Sequence, residues 1–103
     1  MKYTVDFTPE AKDDLLDLYN YIADHSSTTH AMRYIERIEK SCMSLITMPD
    51  RGTRRDELCP GLRVMGFERR VLIAFQVNSG SVAILRILYG GRSVDLAFLQ
   101  VEE

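Results

Sequence analysis

Arginine is the residue type best suited to chemistry in this chain, and it is concentrated in the second half of the 103 residues. Residues 51–103 carry eight basic residues against six acidic ones, whereas residues 1–50 carry nine acidic and five basic residues. A planar guanidinium binds carboxylates and phosphates through paired hydrogen bonds. The asymmetry therefore predicts an anion or an acidic surface as a partner. The bases of the second half are all arginine: Arg51, Arg54, Arg55, Arg63, Arg69, Arg70, Arg86 and Arg92.

Arg86 lies in the most apolar segment of the chain, where a charged side chain requires a partner. A guanidinium at such a position needs a carboxylate, a group of carbonyls, solvent or a bound anion. Strand alternation places Arg86 on the same face as Ile84 and Leu88. Two roles are open for it: a structural ion pair with an acid such as Asp6 or Glu68, and recognition of a bound group.

Proton transfer has few candidate residues near these arginines. Residues 51–103 contain no histidine and no lysine, so Glu68 and Tyr89 would have to carry general acid–base chemistry. Arginine can stabilise an anionic transition state, but it is almost never neutral and transfers protons poorly. His25 and His30 fall at a turn, far along the chain from the arginines. The pattern favours recognition of an anion or an acidic surface over catalysis.

The sequence contains no recognisable motif for a cofactor or a metal. Cys42 and Cys59 match no metal-ligand spacing, and Gly90-Gly91 is too short for a phosphate-binding loop. We therefore expect no metal and no cofactor. Cys42 falls on an apolar helix face, which predicts a buried free thiol.

The composition is that of a globular protein, with 46% hydrophobic and 27% charged residues. No apolar run approaches the roughly 20 residues that a membrane span requires. The first residues, Met-Lys-Tyr-Thr-Val-Asp, do not have the apolar core of a signal peptide. We expect a single domain over residues 1–103 and a cytoplasmic location.

The first half of the chain has one strand pattern followed by helix patterns. Residues 3–7 alternate apolar and polar side chains, as in a half-buried strand. Thr8 and Pro9 then form a helix start, with a hydroxyl at the N-cap and a proline in the first helical position. The spacing predicts a helix over about Pro9–Asp24 whose buried face holds Ala11, Leu15, Leu18, Tyr19 and Ile22.

A second helix follows the polar turn at residues 25–29, and Met48-Pro49 is expected to end it. The short connection predicts an antiparallel helical hairpin. The buried stripe of this second helix consists of Ala31, Ile35, Ile38, Cys42 and Leu45.

A charged loop over residues 50–57 leads into three strand-like segments separated by short polar turns. For residues 93–101, a helical turn and an edge strand are both open. The order β-α-α-β-β-β predicts an α+β fold: an N-terminal strand, an antiparallel helical hairpin on one face of the sheet, and a three-stranded antiparallel meander. The strands of the meander are predicted at Leu62–Phe67, Val71–Val77 and Val82–Tyr89.

Taken in order, these segments resemble the RelE/ParE superfamily of toxins from bacterial type II toxin–antitoxin modules. The ParE branch is the most similar, because of the Pro-x-x-Gly motif at Pro49 and the Ile-Leu-Arg-Ile-Leu-x-Gly strand that begins at Ile84. The segments that carry the resemblance are Phe7–Leu15, Ala31–Ile38, Leu45–Gly52, Glu57–Arg63 and Val82–Arg92.

The resemblance implies a toxin that binds and inhibits DNA gyrase and is neutralised by a ParD-like antitoxin whose C-terminal segment wraps around it. A RelE-like, ribosome-dependent mRNA interferase is the first alternative, with Arg63 and Arg86 holding the phosphate and Glu68 or Tyr89 moving protons. Tyr89 stands where ParE-like sequences often carry histidine, and the lysines of some RNase members are missing. A degenerate relative that binds only an antitoxin is the second alternative.

Two sets of binding residues are predicted on this basis. The net charge of −2 suits a protein partner better than a free nucleic acid, and direct nucleic-acid binding is expected only for the RNase branch. The target-binding or anion-binding set is Arg63, Arg69, Arg70, Arg86, Tyr89 and Arg92. The antitoxin is expected in the groove between hairpin and sheet, on Leu15, Tyr19, Ile35, Arg54 and Arg55.

Overall fold

The computed structural model describes residues 3–98 and confirms the predicted α+β fold. The sheet order is β1-β5-β4-β3-β2, in which β1 runs parallel to β5 and the other pairs are antiparallel. None of the helices among the described residues is long and apolar enough to cross a membrane. The elements are β1 (Thr4–Phe7), α1 (Pro9–His25), α2 (Thr28–Met43), a 3₁₀ turn (Ser44–Ile46), β2 (Thr53–Arg54), β3 (Leu62–Phe67), β4 (Val71–Asn78), β5 (Ser81–Tyr89) and α3 (Val94–Ala97).

Helix α1 begins as the sequence predicts and is one residue longer than expected. The Thr8 hydroxyl accepts a hydrogen bond from the Ala11 amide, and Pro9 occupies the first turn, where an amide has no helical partner. Thr8 also donates its hydroxyl proton to the Leu85 carbonyl, over 3.0 Å. One threonine therefore caps the helix and attaches its first turn to β5.

Helix α2 ends earlier than the Met48-Pro49 signal predicts. Ser27 caps its first turn by accepting from the His30 amide. At the other end the Ser44 hydroxyl donates to the Ser41 carbonyl, over 2.5 Å, and the chain tightens into the 3₁₀ turn. A serine side chain that bonds to the backbone in this way competes with the helical pattern. The prediction of the boundary was therefore wrong by one turn, although the hairpin itself is confirmed.

The core lies between the helical hairpin and one face of the sheet. Tyr3, Val5 and Phe7 pack against its edge, in agreement with the predicted alternation of β1. The largest side chains buried completely in it are Phe75, Ile38, Leu45, Ile73, Ile84 and Ile87.

Strand β5 contains an irregularity that breaks strict alternation. Ala74 of β4 pairs with Arg86, whereas the next residue, Phe75, pairs with Ile84, so that Leu85 is an extra residue. Such a bulge shifts the following side chains to the other face. As a result Ile84 and Ile87 both enter the core. The prediction that Arg86 shares a face with Ile84 was wrong.

The predicted charged loop contains a short fifth strand, which the sequence pattern missed. Thr53 of β2 pairs with Val64 at the far edge of the sheet. Gly52, just before it, has a φ of +82°, and a Cβ at this position would lie only 2.5 Å from the Val64 carbonyl oxygen. A glycine is therefore required for β2 to approach β3.

The open alternative for the last residues resolves as a helical turn, α3. Its N-cap is Ser93, whose hydroxyl accepts from the Leu96 amide. The part of the prediction that concerns residues 99–101 lies outside the described residues.

Candidate functional site

Arg86 has a partner that the sequence reasoning missed. It donates from Nε to Oδ2 of Asp14 over 2.7 Å and from Nη2 to Oδ1 over 3.0 Å. Asp14 is on α1, and its side chain is only 6% exposed. The predicted partners, Asp6 and Glu68, were both wrong. A sequence signal did exist, because Asp14 falls between Ala11 and Leu18 on the apolar face of α1.

The ion pair lies where the edge of β5 loses its neighbouring strand. Among the described residues, β1 pairs with β5 only as far as Ile84. Beyond that point Asp14 accepts the Ile87 amide over 2.9 Å and so replaces a strand partner. The hydrogen bonds to Asp14 raise the pKa of Arg86, which keeps this guanidinium charged. Through this ion pair, Arg86 stabilises the packing of α1 against the sheet.

Arg63 lies at the other end of the sheet from Tyr89. Its guanidinium is 3.5 Å from the Arg51 carbonyl and 3.9 Å from the Asp50 carboxylate. It shares the helix-facing side of β3 with Met65, whereas Arg86 pairs with Ala74 on the opposite side.

The distance between Tyr89 and Arg63 follows from the register of the strands. Tyr89 pairs with Val71, and Val71 pairs with Phe67 on β3. Strand geometry then separates the Cα atoms of Tyr89 and Arg63 by about 16 Å. The structure therefore does not bring Arg63, Arg86 and Tyr89 together.

Tyr89 belongs to a row of aromatic rings at the closed end of the helical hairpin. The Tyr21 ring is stacked on His25 at 4.2 Å and tilted toward Tyr89 at 6.0 Å. Tyr34 meets Tyr89 edge-on at 6.4 Å and Phe67 at 5.9 Å. Half of the Tyr21 side chain is exposed, and Tyr89 is partly buried. The row presents aromatic surface to solvent at this end.

Glu68 is engaged by an arginine of the helical hairpin. Arg37 of α2 donates from Nε and Nη2 to the two carboxylate oxygens of Glu68, each over 3.0 Å. The Arg37 guanidinium also lies over the Tyr34 ring, 5.1 Å from its centre. The hydrogen bonds to Glu68 raise the pKa of Arg37. This pair fixes the β3–β4 turn against α2.

Arg69 and Arg70 belong to the same turn but differ in environment. Glu68 and Arg69 both have positive φ, of 49° and 65°, which non-glycine residues adopt rarely. Arg69 is exposed at the tip. Arg70, the next residue, lines a cleft with Tyr89.

Two clefts lie on either side of Tyr89. One, of about 320 Å³, lies between α2 and the β3–β4 turn and is lined by Tyr34, Arg37, Arg70 and His30 besides Tyr89. His30 is far from Arg70 along the chain, but the hairpin packs its turn beside the sheet and so brings both residues to this cleft.

The other cleft, of about 250 Å³, lies between α1 and the end of β5. Asp17, Tyr21 and Arg92 line it together with Tyr89. We define the Tyr89 surface as five side chains that line these clefts, namely Tyr21, Arg37, Arg70, Tyr89 and Arg92. Its arginines can bind acidic groups, and its rings can pack against apolar ones.

The residues predicted to bind an antitoxin do not form one surface. Leu15 and Ile35 are each 9% exposed and belong to the core, which fills the predicted groove. Tyr19 is partly buried and lines a shallow cleft on the outer side of the hairpin. Arg54 and Arg55 lie at or beyond the β2 edge of the sheet. At Leu15 and Ile35 the space between hairpin and sheet is therefore filled by core side chains, and a partner cannot enter it there.

Arg54 and Arg55 are each paired within this chain. Arg54 pairs with Asp56 at 3.0 Å, and Arg55 pairs with Glu57 at 2.6 Å and with Asp95 at 2.8 Å. These hydrogen bonds raise the pKa of both arginines. Arg55 connects the β2–β3 loop to α3 through Asp95.

Cys42 is the buried free thiol that its helix position predicts. Burial raises its pKa to about 12. Cys59 is a free thiol and is partly buried. Within residues 3–98 no group of histidine, cysteine and acidic side chains is arranged to hold a metal ion.

Known proteins resemble this chain at the level of the family and at the level of the fold. The family described as the ParE toxin of the type II toxin–antitoxin system parDE matches residues 5–94. No curated protein matches significantly.

Solved structures that are similar in fold include the following two. One belongs to a chromosomal ParDE toxin–antitoxin system from P. aeruginosa, with a TM-score of 0.74, 24% identity, and coverage of 85% of this chain and 96% of that chain. The other belongs to the toxin–antitoxin complex RelBE2 from Mycobacterium tuberculosis, with a TM-score of 0.64, 20% identity, and coverage of 89% and 95%. Because the family match spans β1 through the start of α3, this chain belongs to the ParE toxins of type II toxin–antitoxin systems, within the ParE/RelE superfamily.

Proposed function

We propose that this toxin acts by binding and inhibiting DNA gyrase, cleaves no bond itself, and is neutralised by a ParD-like antitoxin. Membership of the ParE family and the ParDE neighbour support this proposal. The observation that carries the choice of binding over catalysis is the dispersal of the predicted RNase residues. Arg86 is held by Asp14, Glu68 is held by Arg37, and Arg63 lies far from Tyr89.

The Tyr89 surface is the part of the chain best suited to hold the target. Tyrosine and arginine are enriched among the residues that contribute most to protein–protein affinity. Of the predicted target-binding residues, Arg70, Tyr89 and Arg92 lie on this surface, and Arg69 lies at the adjacent turn. Arg63 and Arg86 do not belong to it. An acidic, partly apolar patch on the target would complement it.

A second candidate function is favoured by one shared cleft that the sequence did not predict. His30 lines the same cleft as Tyr89 and Arg70, so an imidazole, a phenol and a guanidinium share one space. These groups could serve as proton acceptor, proton donor and phosphate ligand in ribosome-dependent mRNA cleavage. His30 is held by Ser26, whose hydroxyl lies 2.9 Å from its Nδ1.

Expression in bacterial cells tests the proposal. The chain is induced with and without the neighbouring antitoxin gene, and growth, plasmid supercoiling and mRNA ends are followed together. Gyrase inhibition predicts growth arrest with relaxed plasmid and intact mRNA, all reversed by the antitoxin. Cleaved mRNA with normally supercoiled plasmid would support the second function. Normal growth would indicate a degenerate relative that only binds its antitoxin.

A further inference from the structure

In the cleft between α2 and the β3–β4 turn, the charge of Arg70 is not neutralised by any acid in the described part of the chain. The Arg37 guanidinium is already paired with Glu68 over 3.0 Å. Arg70 forms no ion pair with any carboxylate of residues 3–98, although it lines the same cleft. The space therefore has a net positive charge and one exposed guanidinium that is available to an anion.

Aromatic and aliphatic side chains form one part of the wall of this cleft. The Tyr34 ring is held between the Arg37 guanidinium on its face and the Tyr89 and Phe67 rings at its edges. Burial is the largest cause that raises the pKa of Tyr34, so its phenol stays neutral. Ile22 closes the space from α1. A ligand that fits this cleft combines one negative group with apolar surface.

We propose that this cleft receives an acidic side chain of the antitoxin, paired with Arg70, and an adjacent apolar side chain packed on Tyr89. The inference rests on the proposed neutralisation by an antitoxin and names where that partner is anchored. Charge complementarity favours an acidic segment of the antitoxin at this site. Arg69 and Arg70 are adjacent in a turn whose only acid, Glu68, is already paired with Arg37.

An antitoxin bound in this cleft would also explain how it neutralises the toxin. Tyr89 lines both clefts, so a segment packed on one side of this ring covers part of the surface proposed for the target. Antitoxin and target would then compete for the same ring. The predicted antitoxin residues at the β2 edge, Arg54 and Arg55, take no part, because their charges are paired within the chain.

The test measures the Kd between the full-length toxin and the purified antitoxin encoded beside it, by calorimetry. Arg70→Ala is expected to weaken binding by at least about tenfold, since one desolvated charge pair is lost. Arg70→Glu is expected to weaken it further, and Arg70→Lys is expected to retain most of the affinity. Lys12→Glu is the matched control for Arg70→Glu, because both variants replace a positive charge with a negative one. Lys12 lies on an exposed part of α1, about 14 Å before Tyr21 along the helix.

Circular dichroism and the melting temperature of each free variant establish that the fold is intact. Arg70 is exposed, so all variants are expected to melt within a few degrees of the wild type. An unchanged antitoxin Kd for Arg70→Glu, or equal losses for Arg70→Glu and Lys12→Glu, would overturn the inference. If Arg70→Glu left the antitoxin Kd unchanged but abolished the inhibition of gyrase, the inference would also be overturned, and the cleft would be assigned to the target. The Kd is measured without gyrase, so the inference can fail or stand independently of the proposed target.

Discussion

The Asp14 carboxylate accepts hydrogen bonds from Arg86 Nε, Arg86 Nη2 and the Ile87 amide, over 2.7, 3.0 and 2.9 Å. It thereby joins α1 to β5 beyond Ile84, the last β5 residue that pairs with β1. That Arg86 needs a partner followed from its apolar surroundings. The identity of that partner did not follow from the sequence reasoning, because it depends on where β1 ends beside β5.

Removal of the Asp14 carboxylate tests this contact. Asp14→Ala is expected to lower the free energy of unfolding by about 3 kcal/mol, because it leaves a partly buried guanidinium and the Ile87 amide without a partner. The double variant Asp14→Ala/Arg86→Met is expected to lose less. Urea unfolding gives both values. Asp13→Ala, at the exposed neighbouring position, is the control, and a loss no larger than in this control would contradict the structural role.

The two cysteines are expected to differ in reactivity. In the folded chain at pH 8, a disulfide reagent should modify Cys59 and leave Cys42 unmodified, because burial raises the pKa of Cys42 to about 12. In urea both thiols should react. Rapid reaction of Cys42 in a folded Cys59→Ser variant would show that its burial is incomplete.

The same thiol makes stability dependent on pH in the alkaline range. The pKa of Cys42 in the folded chain is about 12, above its ordinary value of 9.0. Unfolding therefore releases a proton once the pH exceeds the lower value, and the contribution of Cys42 to stability falls as the pH rises from 9.0 toward 12. The slope of unfolding free energy against pH in this range is expected to be smaller for Cys42→Ala than for the wild type.

At the scale of secondary structure, local signals predicted the elements well. The Thr8-Pro9 start of α1 is correct because capping involves only neighbouring residues. The limits of β3, at Leu62–Phe67, also agree with the prediction. The bulge at Leu85 and the two-residue strand β2 were missed, since both depend on packing between distant segments.

The β3–β4 turn contains one position, Arg69, at which glycine is expected to increase the stability of the fold. Arg69 has a φ of 65°, which costs a non-glycine residue energy that glycine avoids. Arg69→Gly is expected to raise the free energy of unfolding by about 0.5–1 kcal/mol, after allowance for the greater freedom of the unfolded chain. Urea titration measures the change. Arg70→Gly, where φ is not positive, should lower stability, and the same sign for both variants would contradict this explanation.

At the scale of the whole molecule, the fold redistributes the arginines that the sequence presents as one group. Arg86 stabilises the contact between α1 and β5, Arg54 and Arg55 pair near β2, and Arg70 faces a cleft beside Tyr89. The sequence predicted that Arg70, Tyr89 and Arg92 were candidates for binding. It did not predict the contribution of His30 and Tyr21, because the turn of the hairpin reaches them only through packing of α1 and α2 on the sheet.

We propose that this toxin inhibits gyrase by binding and breaks no bond itself. The most direct measurement titrates the purified toxin, in parallel, into plasmid supercoiling by purified gyrase and into translation of a defined mRNA by purified ribosomes. We predict that supercoiling is lost at toxin concentrations that leave the mRNA intact and translation unchanged, and that added antitoxin restores it. Unchanged supercoiling together with mRNA cleaved on the ribosome would contradict the claim.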